Sequence, residues 1–311
     1  MTEQPSFKIV FVFLDTDKYC SPFDMLVAID AFPDSMIFKY ENVTDEDAPK
    51  IVYDLLFPRG PLGAAHTKIF INGSNFDMVN KVVEATQQCM KSAPWGNSII
   101  VDPRGGYSTA AGAVAKTLGA SLQKGFGPLE GKNVTVLAGT GPVGQTAARI
   151  YAAEKANVTI TTRTMAKGQA VADKINEEVG AQRVKVMEVR SSEQTGAAIK
   201  DAEIVLAAGA GGIQLLSAAE LDKYGAKCEI VADINAIKPL GVEGLGSSDD
   251  GKELKPGVYG IGALAIGKLK IKIEKEMIKR ATLEPQGLFD YAVAYEIGKN
   301  SILKKLAKAA K

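Results

Sequence analysis

Three glycines, Gly139, Gly141 and Gly144, stand at G-x-G-x-x-G spacing within "VLAGTGPVGQTAARIYAAEKANVTITTRT" (136–164), with Thr140, Pro142 and Val143 between them. The apolar run before them reads as a strand and the small-residue run after them as a helix. In that setting the first glycine permits a tight turn, the second lets the backbone approach a pyrophosphate, and the third lets helix and strand pack closely. Pro142 falls near the first helical position, where its missing N–H costs little. Bound phosphates would meet free backbone donors and the positive end of the helix. The competing reading is a purely structural turn. The strand on one side and the helix on the other argue for a dinucleotide site.

The strand that follows ends in Thr161, Thr162, Arg163 and Thr164, with Lys167 shortly beyond, and no acid lies between Lys155 and Ala172. A carboxylate there would accept from the ribose 2′-hydroxyl of NAD, whereas an arginine suits the 2′-phosphate of NADP. Arg163 can grip a phosphate in two places. The expected cofactor is therefore NADP, with NAD as the weaker alternative; the other reading of Arg163 is a solvated side chain and loose selectivity. Ala208 and Gly209 end a later strand and are small enough to let the nicotinamide ribose approach the backbone. Asn235, in "DINAIKP", either hydrogen-bonds the nicotinamide end or forms a turn before Pro239.

A hydride acceptor usually works beside a proton acceptor, yet the chain has one histidine, His66, just before an expected strand. A structural role is expected for it. The three cysteines, Cys20, Cys89 and Cys228, lie far apart, and no pair has metal-ligand spacing. Neither a metal site nor a disulfide is expected, and a reducing cytoplasm is the default setting. With 37 basic and 36 acidic residues, no bulk field favours nucleic acid or a membrane surface. The opening "MTEQPSFKIVFVFLDTDKYC" lacks a basic segment before its apolar run and reads as a strand rather than a signal peptide.

These residues need a scaffold, and 311 residues suffice for two domains. Strands are expected at 7–14, 66–73, 97–102, 134–138, 158–162, 184–189, 203–208 and 229–235, with helices between most of them. That alternation makes an α/β protein with parallel sheets. Further helices are expected from Ser21 and Pro22 onward, after Thr44, over 75–93, over 108–122, over 263–281 and over 290–311. The small residues of 108–122 allow close helix packing.

"VLAGTGPVG" (136–144), "VADINAIKPLGVEGL" (231–245) and "GIGALAIGKLK" (260–270) together resemble the bacterial NAD(P)-dependent methylene-tetrahydromethanopterin dehydrogenase family, a relative of the methylene-tetrahydrofolate dehydrogenases. "DTDKYCSPFDMLVAIDA" (15–31), "DLLFPRGPLGAAHTKIFINGSN" (54–75) and "VDPRGGYSTAAGAVA" (101–115) extend the resemblance through the N-terminal part. It implies hydride transfer from a methylene-tetrahydropterin to NADP in the one-carbon metabolism of formaldehyde and methylotrophy, within a homo-oligomer. It also accounts for the lone histidine. The methylene carbon lies between two nitrogens, hydride loss leaves a delocalised methenyl cation, and no O–H bond breaks. Catalysis then rests on ring alignment and on stabilising charge.

The resemblance implies an active-site role for Lys270, as an orienting donor rather than a stabiliser of the developing cation. Asp102 is expected to accept from the pterin amide and amino groups, or else to cap a helix. Thr109, Asp17 and Asp24 are expected at the pterin, each with a helix-capping or dipole-favouring role as its alternative. Residues 1–107 with 285–311 are expected to form the pterin domain and 108–284 the Rossmann domain, with the substrate cleft between them. The rival readings are the same chemistry on tetrahydrofolate, a shikimate-dehydrogenase-like reductase, and a non-catalytic NADPH sensor.

Overall fold

The computed structural model describes residues 7–309. The chain alternates β1 (Val10–Asp15), α1 (Pro22–Ala31), β2 (Met36–Tyr40), α2 (Ala48–Leu56), α3 (Gly60–Ala65), β3 (Thr67–Asn72), α4 (Phe76–Ser92) and β4 (Ser98–Val101). A 3-10 turn at Pro103–Gly105 leads into α5 (Gly106–Gln123). Then come β5 (Asn133–Leu137), α6 (Pro142–Ala153), β6 (Asn157–Thr162), α7 (Met165–Val179), β7 (Val184–Glu188), α8 (Ser192–Ile199), β8 (Ile204–Ala207), α9 (Ala218–Tyr224) and β9 (Ile230–Asp233). The chain finishes with β10 (Asp250–Lys255), β11 (Val258–Ile261), α10 (Ala263–Leu283), β12 (Gly287–Phe289) and α11 (Tyr291–Ala309). The expected closing helix reaches 311, and its last two residues lie outside the described ones.

Two compact units result, one running up to Ser108 with Ile271–Ala294, the other comprising Thr109–Lys270 and the chain from Tyr295 onward. The first holds a fully parallel sheet of order β12-β4-β3-β1-β2. Val10, Val12, Leu14, Ile69, Ile71, Ile99 and Val101 bury one sheet face against Val52 and Leu56 of α2 and Val79 and Val82 of α4. The central strands are covered on both faces and so are apolar almost without interruption. The second unit holds a sheet of order β10-β11-β9-β8-β5-β6-β7, parallel except for the β10–β11 hairpin.

The C-terminal boundary differs from the expected one. Residues from Tyr295 onward join the nucleotide-binding unit, because α11 packs there. A Cβ on Gly119 of α5 would lie 2.6 Å from Cγ2 of Ile302, and Lys299 pairs with Glu154 at 2.6 Å. Conversely, Ile271–Leu283 of α10 and strand β12 belong to the first unit. Close packing of α5 on α10 is present: a Cβ on Gly112 would stand 3.4 Å from the carbonyl oxygen of Ile266 and 3.5 Å from the Lys270 nitrogen.

Candidate active site

In the second unit, the chain leaves β5 through Ala138, whose φ is 55°. The tight turn therefore falls on an alanine, not on Gly139 as the sequence suggested. Gly139 is required by packing instead, since a Cβ there would be 2.6 Å from Cβ of Ile160 on β6. Gly144 has the same kind of need: its Cβ would meet the Ala138 carbonyl oxygen at 2.8 Å. Gly141 differs. Among the described residues, the one atom near its would-be Cβ is the Ala138 oxygen, at 3.8 Å. No described atom forbids a side chain at Gly141, and the open space there leaves room for a pyrophosphate to approach the loop. Pro142 starts α6 as expected, and Gly141 precedes it in extended conformation. Val143 and Gly144 lie in the first turn, where amides have no carbonyl to bond within the helix. Thr140 is half-buried at the turn. The loop is tied to β6 by the Ala138 amide donating to Oγ1 of Thr161 (3.0 Å). Backbone donors, a helix end and an open cradle together fit a dinucleotide.

At the end of β6, the buried Thr162 hydroxyl accepts from the Thr164 amide (3.1 Å) and donates to its carbonyl (3.2 Å). This small turn holds Arg163 with its side chain exposed, and Lys167 is exposed on α7. The sequence reading expected the neighbouring strand, at 184–189, but did not place its acid beside this end. Thr162 is in register with Glu188 on β7, the Val189 amide donates to the Thr162 carbonyl (2.8 Å), and Arg190 donates from Nη2 to the Arg163 carbonyl. The gap in acids along 155–172 therefore does not leave this end without a carboxylate. Strand pairing supplied one that linear spacing could not reveal.

Ala208 is buried, and Gly209 is confined by Leu215, which would stand 2.8 Å from a Cβ. The Asn235 amide is spent on its own loop, donating from Nδ2 to the Pro239 carbonyl (3.0 Å) and accepting the Ile237 amide on Oδ1 (2.8 Å). That is the turn-forming alternative. Beside it, Asp233 is buried and accepts the amides of Asn235 and Gly241. Burial pushes its carboxyl above the usual range against those bonds.

In the first unit, a polar cluster occupies the C-terminal ends of β1, β3 and β4, where open α/β sheets place ligands. Asp15, Asp24 and Asn72 are all at most 1 % exposed. Asn72 donates to Oδ2 of Asp24 (2.5 Å), and its Oδ1 accepts the Gly73 and Arg104 amides (both 2.7 Å). Asp17 accepts from the Ser74 amide and hydroxyl. Arg104 binds the whole group. It donates to Asp17 (2.8 Å), Asp15 (3.2 Å) and the Tyr19 carbonyl (2.7 Å), from a left-handed backbone at φ 47°, ψ 40°. A non-glycine residue held there is strained, and such strain gathers at functional sites. Burial raises the Asp15 carboxyl above its ordinary range. Burial also works to raise Asp17, but the Ser74 bonds and the Arg104 guanidinium outweigh it and hold that carboxyl low.

Among the expected pterin residues, Asp17 and Asp24 fall inside this cluster. Asp102 is fully buried and accepts the amides of Tyr107 (2.8 Å) and Ser108 (3.1 Å) and the Ser108 hydroxyl (2.5 Å). It is thus the cap of α5, which was its alternative role. Thr109 lies half-buried in the first turn of α5, and Lys270 is half-buried on α10. His66 closes α3 and bonds through Nδ1 to the Leu62 carbonyl (2.7 Å), a structural post. Asp15, Asn72, Ser74 and Arg104 were not singled out from sequence. The only available signal was a basic residue between Pro103 and two glycines.

A Rossmann sheet with a phosphate loop, paired with a parallel α/β unit bearing a polar cluster at its strand ends, defines a dinucleotide-dependent oxidoreductase. Residues 22–104 match the family model for methylene-tetrahydromethanopterin dehydrogenase, N-terminal, and residues 120–236 match that for shikimate / quinate 5-dehydrogenase. The chain is similar to the bifunctional protein MdtA of Methylorubrum extorquens, with 36% identity over 94% of this chain and 98% of that one. It is also similar to that organism's NAD(P)-dependent methylenetetrahydromethanopterin dehydrogenase, with 30% identity over 90% and 94%. The quinate dehydrogenase of Corynebacterium glutamicum in complex with NAD shares the fold, at TM-score 0.52 and 12% identity over 94% of this chain and 99% of that one. The chain belongs to the NAD(P)-dependent methylene-tetrahydromethanopterin dehydrogenase family.

Proposed function

We propose that the protein oxidises N5,N10-methylene-tetrahydromethanopterin to the methenyl form with NADP, as an enzyme of one-carbon metabolism. The observation that carries this reading is the 30% and 36% identity along nearly the full chain, joined to a phosphate loop tied through Ala138 and Gly139 to Thr161, two residues before Arg163. Bound NADP supplies the hydride acceptor. The methylene C–H bond breaks with its electron pair, and the positive charge left behind spreads over the two flanking nitrogens. No proton leaves, so no general base is needed.

The chain's own residues have three tasks. The amides of Thr140, Val143 and Gly144 hold the pyrophosphate, and Arg163, Thr164 and Lys167 hold the 2′-phosphate. The backbone of Ala208 and Gly209 at the end of β8 meets the nicotinamide ribose, with Asn235 shaping the adjacent loop. Asp24 and Asp17 accept from the pterin's N–H groups, with Asn72 and Arg104 fixing their orientation, while Thr109 and Lys270 orient the substrate. Asp102 acts through its cap on α5. Supporting a cytoplasmic setting, all three cysteines are buried free thiols. Among the described residues no helix is long and apolar enough to cross a membrane.

Self-association belongs to the same reading. Among the described residues, strand β2 is a sheet edge whose outer side has no partner strand, and Met36, Phe38 and Tyr40 project from one face of it with 41–47 % exposure. An edge of that kind invites a second strand, here that of a second copy. The test of function is the absorbance of NADPH formed from methylene-tetrahydromethanopterin and from methylene-tetrahydrofolate in parallel. Faster turnover of the methanopterin derivative is expected. Turnover of neither, with NADPH still bound, would leave a sensor.

A further inference from the structure

The end of β7 carries an ion pair that the expected cofactor contacts do not use. Glu188 is in register with Thr162, so the residues after β7 run alongside those after β6. Nε of Arg190 meets Oε1 of Glu188 at 2.6 Å, and its Nη2 donates to the carbonyl of Arg163. The Arg190 amide is anchored by Oε1 of Gln194 (2.7 Å), a residue of α8. The base of this residue is therefore fixed from both sides, while its side chain is 63 % exposed. A guanidinium has five N–H donors, and these two side-chain contacts engage Nε and one Nη2 hydrogen. The remaining donors make no further hydrogen bond among the described residues. The Glu188 side chain is 34 % exposed, and among the described residues its carboxylate pairs with this arginine alone.

Resting on the proposed use of NADP, we propose that the Glu188–Arg190 pair reads the 2′ position of the adenosine ribose. With NADP, the free edge of Arg190 joins Arg163 on the 2′-phosphate. A dianion is better satisfied by two forked donors than by one, and Arg190 is tied to the backbone of Arg163 itself. With NAD there is no phosphate to draw the guanidinium, and the carboxylate of Glu188 accepts from the 2′-hydroxyl. An acid on the second strand of the nucleotide unit commonly does that work; here it comes from the third. The pair thus accommodates both cofactors, with NADP preferred.

The test is calorimetric titration of NADPH and NADH, without pterin, into wild type, Arg190→Ala, Arg190→Lys, Glu188→Gln and Arg163→Ala. Arg190→Ala should weaken NADPH by about tenfold and NADH by less than about twofold, the size of one charge-assisted contact. Arg190→Lys should recover part of the NADPH loss, because it keeps the charge and loses the fork. Glu188→Gln should weaken NADH several-fold and leave NADPH as tight or tighter. Equal losses for both cofactors in Arg190→Ala, or none, overturn the clamp. Unchanged NADH affinity in Glu188→Gln overturns the carboxylate's part. Both results would leave the NADP reading intact wherever Arg163→Ala still loses NADPH selectively. Failure of wild type to bind either dinucleotide would overturn that reading as well.

Discussion

Replacing Arg104 by alanine and, separately, by glycine divides two energies that oppose each other at one residue. Its left-handed backbone costs a non-glycine residue about 1 kcal/mol or slightly more. Its guanidinium holds Asp15, Asp17 and the Tyr19 carbonyl. Fully buried, three charged bonds would sum to several kcal/mol. The Arg104 side chain is 32 % exposed and Asp17 22 %, so water screens them, and roughly 2–3 kcal/mol is the realistic total. Arg104→Ala loses the bonds and keeps the strain, so it should destabilise by about 2–3 kcal/mol. Arg104→Gly loses the same bonds but sheds the strain. Glycine's freer unfolded chain takes part of that back, leaving it about 0.5–1 kcal/mol more stable than the alanine variant.

Urea unfolding followed by Trp95 fluorescence measures this, because Trp95 is the chain's single tryptophan and packs in the first unit. The pH dependence has a definite sign. Asp17 has a folded pKa below 3.8, so its stabilisation is full above that pH and is lost as the pH falls through the folded value. Asp15 is raised by burial, and without Arg104 it rises further, so in the variant it takes up a proton sooner on acidification. The penalty of Arg104→Ala should therefore shrink as the pH is lowered from 7 toward 4. A glycine variant no more stable than the alanine one, or a penalty independent of pH, would refute this reasoning.

Other outcomes follow from the same geometry. Gly141→Val should stay folded, since its Cβ enters open space, yet lose dinucleotide binding by calorimetry; Gly144→Val should lose thermal stability as well, because its Cβ would meet the Ala138 carbonyl oxygen at 2.8 Å. Arg163→Ala should raise the KM for NADP by about tenfold or more, from a lost contact of roughly 1.5–3 kcal/mol, and barely change the kinetics with NAD; equal loss with both would remove Arg163 from the 2′-phosphate. His66→Ala should keep substantial activity in the absorbance assay. Lys270→Ala should lower the hydride rate without adding an ionisation between about pH 6 and 8, whereas an acid limb in wild type that vanishes in this variant would make Lys270 a base. Phe38→Lys on the β2 edge should shift the light-scattering mass toward the monomer.

Much of the scaffold was legible because long apolar runs announce buried parallel strands, and eight expected strands formed within a few residues of their expected bounds. Strand β2 escaped because "MIFKY" lies at an edge with four of its five residues exposed, so its pattern carries no buried face. Strands β10 and β12 escaped for the related reason that exposed or very short strands have little periodicity. The phosphate loop was readable because its residues are contiguous, although the tight turn fell on Ala138. The cluster around Arg104 was not, because Asp15, Asn72 and Arg104 come from three strand ends that only sheet order brings together. Glu188 and Arg190 were hidden for the same reason.

The central claim is that hydride passes from the pterin's methylene carbon to NADP without a protein base. Its most direct test is a single turnover with methylene-tetrahydromethanopterin dideuterated at that carbon, with the reduced cofactor then weighed by mass spectrometry. One deuterium in NADPH is expected, formed more slowly than with unlabelled substrate and at a rate nearly flat from about pH 6 to 8. Unlabelled NADPH, or no reduction with the dinucleotide bound, would contradict it.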